Sequence, residues 1–206
     1  VDRAGLVGAD GETHHGCFDV PYLSTVPGMT VLCPASLAEL RGMLRRAVEK
    51  IDGPVAVRYP RGGEGRYRGC CGEEVWTDLR DGEDCTIVTY GTLVNQALDA
   101  AEALEERGIR AGVVKLNQIV PLPAEEICAA LGENRRILVL EDCVNTNCVG
   151  QRIGAMLAQR GNCPRLILRN VGDRFVTQGS VDQLYQDLGL DAAGVAKAVE
   201  EALREQ

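Results

Sequence analysis

The second half of the chain alternates short apolar runs with helix-length amphipathic stretches, and that rhythm admits few folds. Residues 85–90 read as a strand, 95–107 as a helix closed by Gly108, and 111–116 as a strand. Residues 123–131 read as a helix with proline at its start and Glu125 and Glu126 in its first turn, where the helix dipole favours acids. A strand over 136–141, a helix over 150–160 ended by Gly161, and a strand over 165–169 follow. Two further helices are capped by Ser180 and Asp191. Strands separated by helices do not pair as hairpins. They form a mostly parallel sheet covered on both faces.

The first half carries a shorter version of the same pattern. Residues 30–33 read as a buried strand after the Pro27-Gly28 turn, and Ser36-Leu37-Ala38-Glu39 is a capping-box pattern opening a helix that runs to about Lys50. Asp52-Gly53-Pro54 stops that helix, and residues 55–58 form the next strand. The stretch from residue 61 to about 84 is rich in glycine and charge and reads as the connection between two α/β units, with Trp76 to pin it. No internal repeat or low-complexity segment is visible.

Charge excludes some functions. The 206 residues hold 30 acidic against 22 basic side chains, a net charge of −8, which argues against general nucleic-acid or anionic-membrane binding. No apolar run is long enough to cross a bilayer. Nine cysteines cannot all pair within one chain, and they are scattered, so free cytosolic thiols are expected. Adjacent Cys70-Cys71 and the pair Cys143 and Cys148 lack finger spacing, and a zinc site is rejected.

The densest polar motif lies at the start: Asp2-Arg3-Ala4-Gly5-Leu6-Val7-Gly8-Ala9-Asp10-Gly11-Glu12-Thr13-His14-His15-Gly16. Its glycines permit close backbone approach, and a histidine beside a carboxylate suits proton transfer near neutral pH, with Asp10 and His14 orienting one another. The same residues also fit a surface loop with turn glycines and solvated histidines. The spacing is not that of a dinucleotide fingerprint. Because this motif falls within a dozen residues of Val1, with no methionine or leader before it, preceding sequence is expected. Arg61 leaves a buried strand on a Pro/Gly turn, at the strand edge where α/β sheets place ligands, and a guanidinium matches a phosphate bidentately. A solvated linker arginine, like Arg66 and Arg68, is the other reading.

The opening motif resembles the pyrimidine-binding domain of the 1-deoxy-D-xylulose-5-phosphate synthase family, thiamine diphosphate enzymes related to transketolase. Cys17-Phe18-Asp19-Val20-Pro21-Tyr22-Leu23, Pro27-Gly28-Met29-Thr30-Val31 and Asp52-Gly53-Pro54-Val55-Ala56-Val57-Arg58-Tyr59-Pro60-Arg61-Gly62 carry the likeness further. Val88-Thr89-Tyr90-Gly91 and Gln178-Gly179-Ser180 resemble the family's C-terminal domain. The resemblance implies two three-layer α/β domains with mostly parallel sheets: a truncated pyrimidine-binding domain and linker over 1–80, then a transketolase C-terminal domain over 81–206. It departs at Glu141–Gly150, where related enzymes carry a more glycine-rich turn, so no ligand contact is inferred there.

By resemblance, the parent enzyme condenses pyruvate with glyceraldehyde 3-phosphate to 1-deoxy-D-xylulose 5-phosphate and CO2, feeding isoprenoid, thiamine and pyridoxal synthesis. His14 would handle protons on the reacting oxygen, with Asp10 positioning it or a substrate hydroxyl, and Arg3 and Arg61 would hold the phosphate. His15 is the weaker histidine candidate. Thiamine diphosphate and Mg2+ are the implied cofactors, but the diphosphate motif and its domain are missing from this chain, which is therefore expected to be inactive alone. A cytoplasmic homodimer is the implied setting. The alternatives are a 2-oxo-acid dehydrogenase β subunit, a transketolase, or a non-catalytic assembly module. The Asp2-Arg3-Ala4-Gly5 opening disfavours the first two, and Arg3, Asp10, His14 and Arg61 together disfavour the third.

Overall fold

The computed structural model describes residues 1–70, 73–131, 136–161 and 163–204, and these build two sheets on a shared core. In chain order the elements are α1 (Asp19–Leu23), β1 (Thr30–Leu32), α2 (Leu37–Glu49), β2 (Val55–Val57), β3 (Trp76–Arg80), β4 (Cys85–Tyr90), α3 (Val94–Glu105) and β5 (Ala111–Leu116). They continue with β6 (Gln118–Val120), α4 (Ala124–Leu131), β7 (Arg136–Leu140), α5 (Val149–Gln159), β8 (Arg165–Arg169), α6 (Val181–Leu188) and α7 (Ala192–Arg204).

The larger sheet has the order β3-β5-β4-β7-β8 and is parallel except for β3. Residue parity sorts its two faces, as strand geometry requires. Cys85, Ile87, Val113 and Leu138 pack with Leu104, Leu184 and Val199 of α3, α6 and α7. Val88, Val114, Ile137 and Val139 pack with Ile127 and Ile153 of α4 and α5, and also with Val20 and Val31 of the first block. The expected α/β layering is present.

The smaller sheet, β2-β1-β6, is parallel between β1 and β2 and antiparallel between β1 and β6. A division at residues 80 and 81 therefore does not coincide with the sheets. Trp76–Arg80, read from composition as connection, is an edge strand of the larger sheet, with Trp76 opposite Leu116. An edge strand tolerates Asp78 and Arg80 because one side meets water, so its composition resembles a linker's. Conversely, β6 follows β5 directly and crosses into the smaller sheet. Asn117 turns that corner fully buried, with its N–H donating to the Val75 carbonyl, its carbonyl accepting from the Cys33 N–H, and its side chain donating to Thr77.

Local capping follows the sequence with one difference. Ser180 and Gln183 form a complete capping box on α6, and Asp191 accepts from the Gly194 N–H at the start of α7. At α2, Ser36 accepts from the Glu39 N–H, but the Glu39 carboxylate turns to the Ala35 N–H (2.7 Å). The same oxygen meets Lys115 Nζ at 2.9 Å, and both side chains are wholly buried. Glu39 thus caps a helix and ties α2 of the first block to β5 of the second. The eight described cysteines are free, with Cys85 and Cys128 in the core as expected, while Cys71 lies outside the described residues.

Candidate functional site

The opening motif is a loop closed at its base. Gly5 and Gly16 exchange both backbone hydrogen bonds, at 3.1 and 2.8 Å. Two of its glycines are dictated by what approaches them. Gly5 has a φ of 71°, and a Cβ there would lie 1.8 Å from Asp142 Oδ2. A Cβ on Gly16 would lie 1.9 Å from the Arg3 carbonyl oxygen. The chain at Gly8 and Gly11 packs instead against Gly179 and Gln178, so the Gln178-Gly179-Ser180 motif is a docking floor for this loop.

The loop has a buried and an exposed side, and the two histidines separate accordingly. His15 is 7 % exposed; its Nδ1 accepts from the Val7 N–H at 3.0 Å. That places its proton on Nε2, which donates to the Thr177 carbonyl at 3.3 Å. His15 fastens the loop to the second block. His14 is exposed and lies 2.8 Å from Thr13 Oγ1 through its Nδ1. Thr13 Oγ1 is in turn 3.3 Å from the Asp10 carbonyl, so one hydroxyl touches both residues. The expected Asp10–His14 coupling thus runs through Thr13 and the Asp10 main chain, not through the Asp10 carboxylate.

That carboxylate pairs with Arg61 Nη1 instead, with side chains 33 % and 55 % exposed. Exposed pairs of this kind contribute about 0–1 kcal/mol, so the partnership is easily exchanged for another anion. Arg3 lies on a segment bonded along the same turn: the Tyr59 N–H donates to the Val1 carbonyl and the Ala4 N–H to the Tyr59 carbonyl, both at 3.0 Å. The structure therefore brings Arg61 to Asp10, sets the backbone of Arg3 beside that of Tyr59, and leaves His14 on the loop's outer side.

Beneath this surface sits a cluster that the sequence reading missed. Arg58, at the end of β2, is 3 % exposed; its Nε donates to Asp19 Oδ2 at 2.9 Å and its Nη2 to the Gly16 carbonyl at 3.1 Å. Nη2 also lies 2.9 Å from Asp142 Oδ1, as an ion pair without hydrogen-bond geometry. Its guanidinium stacks 5.6 Å from the Tyr90 ring. Burial works against the charge, but Asp142 and then Asp19 outweigh it and hold Arg58 well above its ordinary pKa. Burial in turn pushes the Asp19 carboxyl up, against the pull of Arg58. Next to them, Glu141 accepts from Tyr90 Oη (3.0 Å) and from the Val149 and Gly150 N–H groups (both 2.9 Å), an internal anion at the start of α5.

This cluster occupies the carboxyl ends of β4 and β7, the place where open α/β sheets ordinarily receive ligands. Here the first block fills it. The visible signals were a charged residue ending the apolar run Val55-Ala56-Val57, and two acids directly after the buried strand Arg136–Leu140. The Glu141–Gly150 turn serves the same seam: the Val144 N–H donates to the Cys17 carbonyl (2.9 Å), and Asn147 to the Pro21 carbonyl (3.1 Å). Among the described residues, no three His, Cys, Asp or Glu side chains converge in a way that could hold a metal ion.

Comparison with known proteins matches each block separately. Residues 1–63 match the transketolase pyrimidine-binding domain, and residues 74–195 match the transketolase C-terminal domain. The 1-deoxy-D-xylulose-5-phosphate synthase of Chlorobium luteolum is 38 % identical over 99 % of this chain and 33 % of its own length. Synthase 1 of Geobacter sulfurreducens is 41 % identical over 97 % of this chain and 32 % of its own length. The chain spans about a third of the length of the relatives it matches. Among solved structures, a split-gene transketolase, described as an inactive β4 tetramer, superposes with a TM-score of 0.83 at 29 % identity, over 95 % of this chain and 64 % of that one. A transketolase variant from Pichia stipitis shares the fold, with a TM-score of 0.77 at 22 % identity over 98 % of this chain and 29 % of that one.

Proposed function

This chain belongs to the transketolase family, and on that premise we propose that it forms the C-terminal third of a 1-deoxy-D-xylulose-5-phosphate synthase. The reaction would join the two-carbon unit of pyruvate to glyceraldehyde 3-phosphate, with loss of CO2. The observation that carries the reading is the exposed Arg61, held by Asp10 at the rim of the opening loop with Arg3 on the neighbouring segment. Two guanidinium-bearing segments on one turn suit the phosphate of the aldehyde, which would take over Arg61 from the Asp10 carboxylate. Asp10 is then the resting partner that keeps Arg61 extended. His14, exposed on the same loop, is the group we assign to move a proton on the acceptor.

Thiamine diphosphate with Mg2+ is the cofactor this reading implies. The described residues offer no metal site, and the roles assigned here belong to this chain's own side chains. The cofactor's diphosphate and metal would be held by the part of the relatives that these residues do not match, so the 206 residues by themselves should not turn over pyruvate with glyceraldehyde 3-phosphate. The proposed setting is cytoplasmic; no helix among the described residues is long and apolar enough to cross a membrane. A second copy of the chain is the proposed protein partner, in line with the self-assembled split-gene relative. The division into a pyrimidine-binding unit and a C-terminal unit is part of the same proposal, with β3 assigned to the second.

The test uses the intact synthase that contains this chain. Arg61→Ala should raise KM for glyceraldehyde 3-phosphate roughly ten- to a hundredfold, as expected for a lost charge-assisted contact worth about 1.5–3 kcal/mol, and leave KM for pyruvate nearly unchanged. Equal effects on both substrates would remove Arg61 from the phosphate site.

A further inference from the structure

Glu64 stands three residues after Arg61, and its charge alone would repel the phosphate proposed to bind there. The structure turns that charge to another use. Glu64 Oε2 accepts from the Leu37 N–H at 2.8 Å, at the start of α2. Leu37 is the first helical residue after the Ser36 cap, and its N–H is one of those a helix leaves unpaired. The local caps are spent elsewhere: Ser36 accepts from the Glu39 N–H, and Glu39 from the Ala35 N–H. An acid from 27 residues further on fills the gap, at the helix end where the dipole favours it. Its other oxygen lies 3.3 Å from Arg68 Nε, a partly exposed pair that adds little.

The turn that carries Arg61 has few other supports. Upstream it is fastened at Tyr59, whose carbonyl accepts from the Ala4 N–H. Gly62 and Gly63 follow Arg61, and a Cβ on either would meet nothing within 4 Å. Leu37, Leu40, Pro60, Gly62, Gly63 and Glu64 line one pocket, so the turn spans a gap rather than packing down. Glu64 is the next anchor along the chain, and more follow it. The Tyr67 N–H donates to Asn95 Oδ1 on α3 and its hydroxyl to the buried Glu39, both at 2.9 Å, while the Ser36 hydroxyl donates to the Gly69 carbonyl.

We infer that Glu64 is a positioning residue for Arg61: by capping α2 it closes the Arg61-Gly62-Gly63 turn and holds the guanidinium at the rim before a phosphate arrives. The inference rests on the phosphate role proposed for Arg61 and adds the residue that prepares it. Without that anchor two glycines would leave the turn to be ordered at the moment of binding, which weakens affinity.

The sign of one effect decides the matter. In the intact synthase, Glu64→Ala should raise KM for glyceraldehyde 3-phosphate roughly three- to tenfold, the effect of one more side chain to order on binding, and leave kcat and KM for pyruvate within about twofold. If Glu64 acted only through its charge, the same substitution would lower that KM. Glu64→Gln keeps an oxygen for the Leu37 N–H and drops the charge, so its KM should stay within about twofold of the parent's. Leu37→Pro removes the N–H from the other side. Proline suits the first helical position, and Ser36 already has the extended backbone that a residue before proline needs. That variant should match Glu64→Ala, and the two together should raise KM no further. Circular dichroism verifies folding of each variant. An unchanged or lowered KM in Glu64→Ala, an equal impairment in Glu64→Gln, or a silent Leu37→Pro overturns the inference. Glu64→Ala added to Arg61→Ala should also cost nothing more; a further rise would mean that Glu64 acts on something other than Arg61. If Arg61→Ala raises KM and Glu64→Ala does not, the positioning role falls and the phosphate site stands. If Arg61→Ala leaves KM unchanged, the phosphate reading fails and takes this inference with it.

Discussion

Arg58 and Arg61 stand three residues apart, each beside an aspartate, and the protein uses them in opposite ways. Arg58 ends a strand, is enclosed by the first block's Asp19 and the second block's Asp142, and fills the crevice at the strand ends of the larger sheet. Arg61 lies past a Pro/Gly turn and shares a half-exposed pair with Asp10. His15 and His14 repeat the division one loop away, with the first bonded inward through both ring nitrogens and the second bonded to its neighbour. The side-chain chemistry is the same in each couple; burial decides what it does. A buried pair must satisfy every charge it brings in and therefore fixes geometry, whereas an exposed pair contributes little energy and remains free to exchange partners.

The sharpest way to break this comparison is to remove each charge in turn. Arg58→Met leaves Asp19 and Asp142 buried without their cation and should cost about 3–5 kcal/mol in urea unfolding of the 206-residue chain. Arg61→Met should cost less than about 1 kcal/mol. If the two variants unfold at similar urea concentrations, the seam is not organised around Arg58 and the contrast fails.

The regular alternation after Cys85 was legible because parallel strands buried on both faces must be apolar throughout, and helices must begin and end with recognisable caps. The edge strand β3 was not, since Asp78 and Arg80 disguise it. Nor was the crossing of β6 into the smaller sheet, which rests on the long-range bonds of Asn117 and Cys33 and has no local signature. Within the site, residue type and family likeness pointed to Arg3, Asp10, His14 and Arg61, which share one turn or one loop. Asp19, Arg58 and Asp142 are equally conspicuous by type. Their partnership spans more than 80 residues of sequence, and spacing alone carries no information about which of several acids closes on a given arginine.

Gly5 offers a second, smaller separation of inside from outside. Gly5→Ala would drive a methyl group onto the Asp142 carboxylate and impose a β-carbon on a positive φ, so a loss of about 1–3 kcal/mol is expected, with the Arg58–Asp142 contact disturbed. A Cβ on Gly62 meets nothing within 4 Å, and although its φ of 119° is also strained, Ala there should leave the seam intact. Urea unfolding together with the part of the near-ultraviolet signal that Tyr90→Phe removes separates the cases. A seam signal altered by Gly62→Ala and untouched by Gly5→Ala would reverse the assignment.

The smallest effect expected is a pH dependence carried by thiols behind the seam. Burial pushes Cys33 from an ordinary value of 9.0 up to about 12, with the nearby Arg58 only partly offsetting it. Above pH 9 the unfolded chain therefore loses this proton while the folded chain keeps it. The unfolded state then binds fewer protons, so stability falls as pH rises; the contribution is fully present below pH 9 and is gone once pH passes the folded value near 12. One such thiol costs about 1.4 kcal/mol per pH unit across that window. Other buried cysteines, Cys85 among them with a value of about 12, add to the slope, so its total does not identify Cys33. The difference between two slopes does. Unfolding free energies of the parent chain and of Cys33→Ala, measured at pH 8, 9 and 10, should converge as pH rises, because the variant has one fewer proton to lose. The packing loss of the smaller side chain is the same at every pH and cancels from the slopes. Parallel lines would mean that Cys33 titrates as it does in water, and that the core behind Arg58 is open to solvent in a way its burial denies.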